Sequence, residues 1–175
     1  MTRGLILYGA PASGKDTVTR ALAEIDGRFR LFERLKAGRG RTTGYRMTSD
    51  DELNELASSG EIVWENIRYG ARYVIDRPGL EAISASGHIP VVHAGQTEVI
   101  EAVRAATVGT WFVVQLNTSR ETARQRIIER DTGDTSARLS AWDATSRLTD
   151  ADLEIDTEQV SAEHAACLIR ALVTG

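Results

Sequence analysis

The chain has 175 residues, 42% hydrophobic and 26% charged, with a formal net charge of −4 and a pI of about 5.4. That length suits one domain with its own core. The acidic balance excludes a nucleic-acid binder that works by bulk positive charge, and no apolar run approaches the length of a membrane span. A single cysteine, Cys167, excludes an internal disulfide. It sits in an apolar helical stretch and is expected in the core, and a reducing cytoplasm is the expected compartment.

Leu5-Ile6-Leu7-Tyr8 reads as a buried strand. The segment Gly9-Ala10-Pro11-Ala12-Ser13-Gly14-Lys15-Asp16-Thr17 follows, and Val18, Ala21, Leu22 and Ile25 then recur at helical spacing, which predicts a helix over 15–25. Strand, glycine-bounded loop, Gly-Lys and helix make the context of a phosphate-binding loop. Glycine at positions 9 and 14 permits a backbone that a side chain would block. Successive N–H groups then face one concavity, and the helix behind them adds its positive dipole end. Lys15 reaches the β- and γ-phosphates of a bound triphosphate. The usual pattern has Ser or Thr directly after the lysine, with its hydroxyl on Mg²⁺; here Asp16 stands there and Thr17 comes next.

Further along, 28–35 reads as a strand, and Lys36 to Gly44 as a loop rich in glycine and cations. Ser49 and Glu52 form a capping box that opens a helix ending at Gly60. Two short strands, 62–69 and 72–75, flank Gly70-Ala71. Asp76-Arg77-Pro78 opens a helix that ends near Gly87. A strand over 88–93, a helix to Ala106 and a strand over 110–116 follow. Thr118-x-x-Glu121 reads as a second capping box for a helix to about Arg130. Asp134 starts a helix carrying Leu139, Trp142 and Leu148. A last strand over 153–155 and a C-terminal helix with Ala162, Ala165, Ala166, Ile169 and Leu172 complete the order. The alternation predicts an α/β fold with a parallel sheet and ligands at the carboxyl ends of its strands. The stretch 38–75 breaks the alternation and reads as a small insert.

Five features together resemble the guanylate kinase superfamily of P-loop kinases, which includes ribose 1,5-bisphosphate phosphokinases that often carry Gly-Lys-Asp in this loop. They are the loop itself, Gly60-Glu61-Ile62-Val63-Trp64, the Gly70-x-x-Tyr73 hairpin, Glu121-x-x-x-x-Arg126-x-x-x-Arg130 and Arg138-Leu139. The resemblance implies a three-layer P-loop NTPase fold over 1–175 with an acceptor-binding insert at about 36–75 and a lid at about 126–140. It implies a kinase that uses ATP and Mg²⁺ and acts on a phosphorylated small molecule, as a monomer or homodimer, with no nucleic-acid or membrane partner.

Gly9, Ala12, Ser13, Gly14, Lys15, Asp16 and Thr17 are then the nucleotide-binding set, with Asp16 and Thr17 as candidate Mg²⁺ ligands. Arg126 and Arg130, four apart on one helix face, and Arg138 are the lid cations that clamp phosphate oxygens. Lys36 and Arg39 have the spacing of two family arginines that hold the acceptor phosphate, with Arg41 competing for either role. Tyr45 and Tyr73 resemble the family's two phosphate-contacting tyrosines. Glu65 and His93 are candidate acceptor contacts. The chain departs from guanylate kinases in base recognition: its carboxylate follows the tryptophan as Trp64-Glu65, and His93-Ala94-Gly95-Gln96 stands where aspartates are usual. Nucleoside monophosphates such as GMP and ribose 1,5-bisphosphate-type sugar phosphates therefore both stay open as acceptors. A non-catalytic protein-binding module and a P-loop ATPase switch are the readings from other classes.

Overall fold

The structure is a computed structural model and describes residues 2–68, 70–130 and 133–175. Strand β1 (Arg3–Tyr8) is the middle of a five-stranded parallel sheet. Its other strands are β2 (Phe29–Leu31), β7 (Ile89–Ala94), β8 (Thr110–Asn117) and β9 (Leu153–Asp156), in the order β2-β7-β1-β8-β9. A strand covered on both faces is apolar at every position, and β1 shows how the layers divide. Leu5 and Leu7 join a core with Val18 and Leu22 of α1 (Lys15–Ile25) and Ala166 and Ile169 of α7 (Ala162–Thr174). Ile6 and Tyr8 face the other way, onto Leu80 of α3 (Arg77–Ala85) and Val99 and Val103 of α4 (Thr97–Ala106). The result is the predicted three-layer α/β arrangement. Among the described residues, no helix is long and apolar enough to cross a membrane.

Two attachments sit at the carboxyl end of the sheet. The insert is a second sheet of order β4-β3-β6-β5, from β3 (Leu35–Ala37), β4 (Arg46–Met47), β5 (Ile62–Arg68) and β6 (Ala71–Asp76), backed by α2 (Asp50–Ser58). Leu53 of α2 closes a small core with Ala37 and Val74. The capping box at Ser49 and Glu52 is present, and Asp76 caps α3 by accepting from Gly79 N at 2.9 Å. The other attachment pairs α5 (Arg120–Glu129) with α6 (Thr135–Asp143). Ala123 and Ile127 pack on Leu139, Trp142 and Ala12 of the phosphate loop.

Four expectations are corrected. The strand expected over 28–35 is two strands in different sheets: the chain leaves the main sheet at Phe32, whose N–H still donates to Val91 O at 2.8 Å, and enters the insert at Leu35. The cap of α5 is Ser119, whose side chain accepts from Thr122 N, and not Thr118. Leu148 lies beyond α6 and is buried in the cluster with Tyr8 and Val113, while its N–H donates to Gln115 Oε1 at 2.6 Å. Cys167 is exposed, because the buried stripe of α7 runs through Ala165, Ala166, Ile169 and Val173 and a step of about 100° per residue turns position 167 outward. Tyr69, expected in the hairpin, lies outside the described residues.

Candidate active site

The loop between β1 and α1 is shaped by three residues. Gly14, the residue before α1, holds φ at 99°, and Ala12 has φ 62°, left-handed without being glycine. At Gly9 the need is for space: a Cβ there would lie 2.5 Å from Ser13 Oγ and 2.7 Å from Leu116 O. A left-handed alanine costs about 1–2 kcal/mol, so something must hold it. Arg126 Nη1 donates to Ala12 O at 3.1 Å, and the Ala12 methyl packs in the α5–α6 cluster. Thr157, just after β9, adds a hydroxyl donated to Ser13 O at 2.9 Å, while Arg126 Nη2 donates to Thr157 O at 3.2 Å. No sequence signal marks Thr157; only the fold brings it here.

Lys15 is held by neutral acceptors, its Nζ donating to Gly9 O at 2.5 Å and to Ala10 O at 2.9 Å. Burial pulls its pKa down to about 8; Asp16 resists, while Arg34 and Arg130 push the same way as burial. A desolvated ammonium without a bonded carboxylate beside an uncapped helix N-terminus suits triphosphate oxygens. His93, at the end of β7, faces this group. Its Nε2 lies 2.7 Å from Thr19 Oγ1 and its Nδ1 3.6 Å from an oxygen of Asp16. Burial and the Lys15 charge bring His93 down to about 4, so it is neutral at physiological pH.

Mg²⁺ is usually held by one or two carboxylates together with substrate phosphates. Among the described residues no three His, Cys, Asp or Glu side chains gather into a metal cage. The exposed Asp16 carboxylate, at the mouth of the cavity beside Lys15, fits the sparser arrangement. Thr17 does not: it is exposed, and the helical step after Asp16 carries it outside the cavity lining.

In front of the loop lies a cavity of about 490 Å³, closed by the carboxyl ends of β1 and β7, the insert and α6. No family model and no curated protein matches the sequence. Solved structures do match the fold. A guanylate kinase from Anaplasma phagocytophilum superimposes with a TM-score of 0.62 at 19% identity, over 98% of this chain and 84% of that one. A sugar kinase from a Janibacter species gives 0.55 at 17% identity, over 98% and 94%. A gluconokinase from Sinorhizobium meliloti gives 0.54 at 20%, over 98% and 93%. The fold is that of a guanylate kinase-like P-loop kinase.

Within this fold the residues expected to bind an acceptor separate into two groups. Arg41, Tyr45 and Tyr73 line the cavity, the two rings 5.3 Å apart between centroids. Lys36 does not line it. It is 1% exposed, its Nζ lies 5.5 Å from the Tyr45 ring and 5.4 Å from the Tyr73 ring, and it donates to Arg41 O at 2.7 Å. Its position supports the tyrosines and the arginine loop from beneath, in place of the direct phosphate contact expected. Arg39 is exposed and outside the cavity, because Gly38 at φ 117° and Gly40 at φ 95° turn the backbone on each side of it.

Glu65 is also excluded from the cavity. Lys36, Tyr73 and Asn66 share a register position, so their side chains take one face of the insert sheet, and the neighbours of Asn66 and Tyr73 take the other. Glu65 accordingly accepts from Arg72 Nε at 2.6 Å on the face where Arg72 also reaches Asp50 and Asn54 of α2.

Of the three cations expected in a lid, Arg138 lines the cavity while its Nε donates to Asp134 Oδ1 at 2.7 Å. Arg130 caps the end of α5 and its charge is felt at Lys15. Arg126 and Arg130 therefore do different work: the first is bonded to the loop backbone. The sequence reading missed two lining cations, Arg34 and Arg68. Arg68 was legible, since it lies two residues beyond Asn66 on the same sheet face. Arg34 was concealed by the break between β2 and β3.

Proposed function

We propose that the protein is an ATP-dependent phosphotransferase that moves the γ-phosphate of ATP to a phosphorylated small molecule. The observation that carries this reading is the cavity with two cationic ends, Lys15 and the start of α1 at one and Arg41 beside Tyr45 and Tyr73 at the other. The triphosphate lies along Gly9 to Lys15, and the acceptor phosphate sits against Arg41 and the two tyrosine hydroxyls. An acceptor phosphate oxygen attacks the γ-phosphorus in line. The new P–O bond forms as the bond from the γ-phosphorus to the β,γ-bridging oxygen breaks, and ADP leaves with that electron pair. A dianionic acceptor phosphate carries no proton on the attacking oxygen, so the step needs no general base. Charge neutralisation and alignment are what the protein supplies.

Lys15, Arg130 and Arg138 neutralise the transferring group, and the α5–α6 lid excludes water that would otherwise hydrolyse ATP. Mg²⁺, when bound, would supply further neutralisation of the triphosphate charge. Asp16 is the residue that would hold it, directly or through water. His93, neutral and fixed by Thr19, lines the cavity where both substrates meet. Acceptors of this class include nucleoside monophosphates such as GMP and sugar phosphates such as ribose 1,5-bisphosphate. Coupled ADP release measured against a panel of both kinds tests the reading. Acceleration by at least one acceptor is expected, and no acceleration by any would overturn it.

A further inference from the structure

Among the described residues, four buried side-chain nitrogen or oxygen atoms have no hydrogen-bond partner: Arg77 Nε, Gln115 Nε2, Thr118 Oγ1 and Trp142 Nε1. Buried polar atoms are almost always paired, so an unpaired one asks for a cause. The last three share one. Gln115, Thr118 and Trp142 all line a second cavity, of about 150 Å³, between the carboxyl ends of β1 and β8 and the segment 142–147. It lies beside the large cavity, and Gly9 and Thr145 line both. No step of the proposed transfer uses it.

The wall is one-sided in its chemistry. Gln115 is 2% exposed, and its Oε1 accepts from Leu148 N at 2.6 Å, so the amide orientation is fixed and the unpaired atom is the NH2 group. Glu154, across the strand pair, is held below the usual carboxylate range chiefly by Arg147, and the Gln115 amide adds only a minor part. At least one Gln115 N–H is left for the cavity. Trp142 Nε1 can only donate, and the Thr118 hydroxyl can donate or accept. Arg147 is the one charged residue among the described lining residues, and no carboxylate is among them. Acceptors are scarce as well. Gly9 O and Ala10 O already accept from Lys15, Asn117 O from Thr157 and Ser146 O from the Tyr8 hydroxyl. Water would satisfy the donors, but each water brings two hydrogens that need acceptors of their own. An oxyanion brings acceptor oxygens and no hydrogens. The volume equals that of about five waters at roughly 30 Å³ each, which is room for one phosphate-sized ion.

We propose that this small cavity is a separate anion site, which binds a tetrahedral oxyanion such as inorganic phosphate between β8 and α6. Gln115, Thr118 and Trp142 stand on three different segments, and a tetrahedral ion offers each of them an oxygen of its own. Arg147 supplies the charge. The bound ion ties α6 to the sheet, and α6 also carries Arg138, which lines the large cavity. Occupancy of the small cavity therefore steadies the helix that brings Arg138 to the large one. The site is distinct from the phosphate loop, and its existence does not depend on the phosphotransferase reading.

Trp142 provides the readout. The chain has three tryptophans, and each gives one indole N–H resonance. That of Trp111 donates to Thr107 Oγ1 at 2.6 Å and serves as the internal control. The full-length chain, labelled with ¹⁵N and saturated with ADP to fill the phosphate loop, is titrated with inorganic phosphate and, at equal ionic strength, with chloride. Loss of one signal in Trp142→Phe assigns the resonance. Phosphate is expected to move the Trp142 signal saturably, with chloride without effect and Trp111 unmoved. Thr118→Val keeps the shape and removes the hydroxyl, so the phosphate Kd read at Trp142 is expected to weaken about fivefold to tenfold. Arg147→Gln, at a surface position 74% exposed at the side chain, is expected to weaken it less, and it keeps the test usable if Thr118→Val does not fold. A saturable shift with the same Kd in both variants would place the phosphate elsewhere and overturn the site. A shift that does not saturate, or that chloride reproduces, would mean an adventitious ion only and would overturn it too. No shift at all would mean that the cavity holds water, with the same consequence. Because the signal is read at Trp142 and not from turnover, failure here leaves the kinase reading standing, and failure of every acceptor in the ADP-release assay leaves this result intact.

Discussion

At the phosphate-loop end of the cavity the backbone itself forms the site, through Gly14 at φ 99°, Ala12 at φ 62° and a Gly9 that leaves no room for a side chain. At the acceptor end the backbone is an ordinary small sheet, and the site consists of side chains: Arg34, Arg41, Tyr45 and Tyr73. A backbone site is specified by a short contiguous segment and tolerates little change within it. A side-chain site depends on register, on which face of a sheet each residue takes and on what lies beneath it. On the reading proposed above, the first holds a common group, a polyphosphate, and the second is where a specific partner is chosen.

The sharpest test of that contrast is Lys15→Met. Lys15 is the loop's own cation, and on the proposed reading its loss removes a preorganised charge from the transferring group, while the Arg126 and Thr157 bonds that hold the loop backbone stay in place. We expect kcat to fall by about 10²–10³-fold, as for removal of one strong electrostatic group from an active site. Steady-state rates, together with an unchanged melting curve, check this. A loss below about tenfold would mean that the backbone carries the loop end alone.

The pH dependence of nucleotide binding probes the same group. With the Lys15 pKa lowered to about 8 by burial, the free protein loses the loop cation as pH rises through 8. Anionic phosphates favour the protonated form, so binding takes up a proton, and ATP affinity should fall with a slope approaching one tenfold step per pH unit above that value. Stability moves the opposite way. The folded value lies below the ordinary 10.5, so the unfolded chain binds more protons between about 8 and 10.5, and Lys15 contributes a rise in stability with pH across that window. Calorimetric titration of ATP at pH 7 and pH 9 measures the first effect, and a pH-independent affinity would remove Lys15 from the binding site.

Legibility in the sequence followed the same division. The loop, the three layers, the Ser49 capping box and the Asp76 helix start were readable because each is local or periodic: a glycine spacing, an apolar run, a cap residue three positions before its acceptor or donor. The acceptor end was half readable. Tyr45, Tyr73 and Arg41 reach the cavity. Arg39 leaves it because two left-handed glycines flank it, and Glu65 leaves it because strand alternation assigns it to α2. Lys36 has the expected spacing but is buried under the two tyrosines, and spacing alone does not report depth. Arg34 was lost because one apparent strand is in fact two, shared between sheets, and an arginine at such a crossing gives no periodic signal. Leu148 failed for a related reason: it lies beyond α6 and is buried in the cluster with Tyr8 and Val113 on the main sheet, which no helical period of α6 reports.

Lys36→Met tests whether the acceptor end depends on support from beneath. Methionine is close in volume, and replacing a buried ammonium by an apolar chain is often neutral for stability. The hydrogen bond to Arg41 O would be lost, and with it the anchor of the arginine loop. A loss of about 1 kcal/mol, roughly a fivefold rise in acceptor KM, is expected, with ATP KM unchanged. If ATP KM rises in step, the two ends are not separable in the way argued above.

The smallest effect is expected at Glu65, and it is the most exacting check on the face assignment. Glu65→Gln keeps the shape and removes the charge that Arg72 meets at 2.6 Å. Glu65 and Arg72 are 29% and 19% exposed at the side chain, so screening limits the pair to at most about 1 kcal/mol of stability. Acceptor KM should not move for sugar phosphates or for GMP, because the carboxylate faces α2 and the cavity lies across the sheet. Thermal unfolding and acceptor kinetics on one preparation separate the two quantities. A GMP-specific rise in KM would mean that the β5–β6 ribbon turns Glu65 towards the cavity when an acceptor binds, which would restore a base-reading carboxylate to the acceptor end and undo the face assignment.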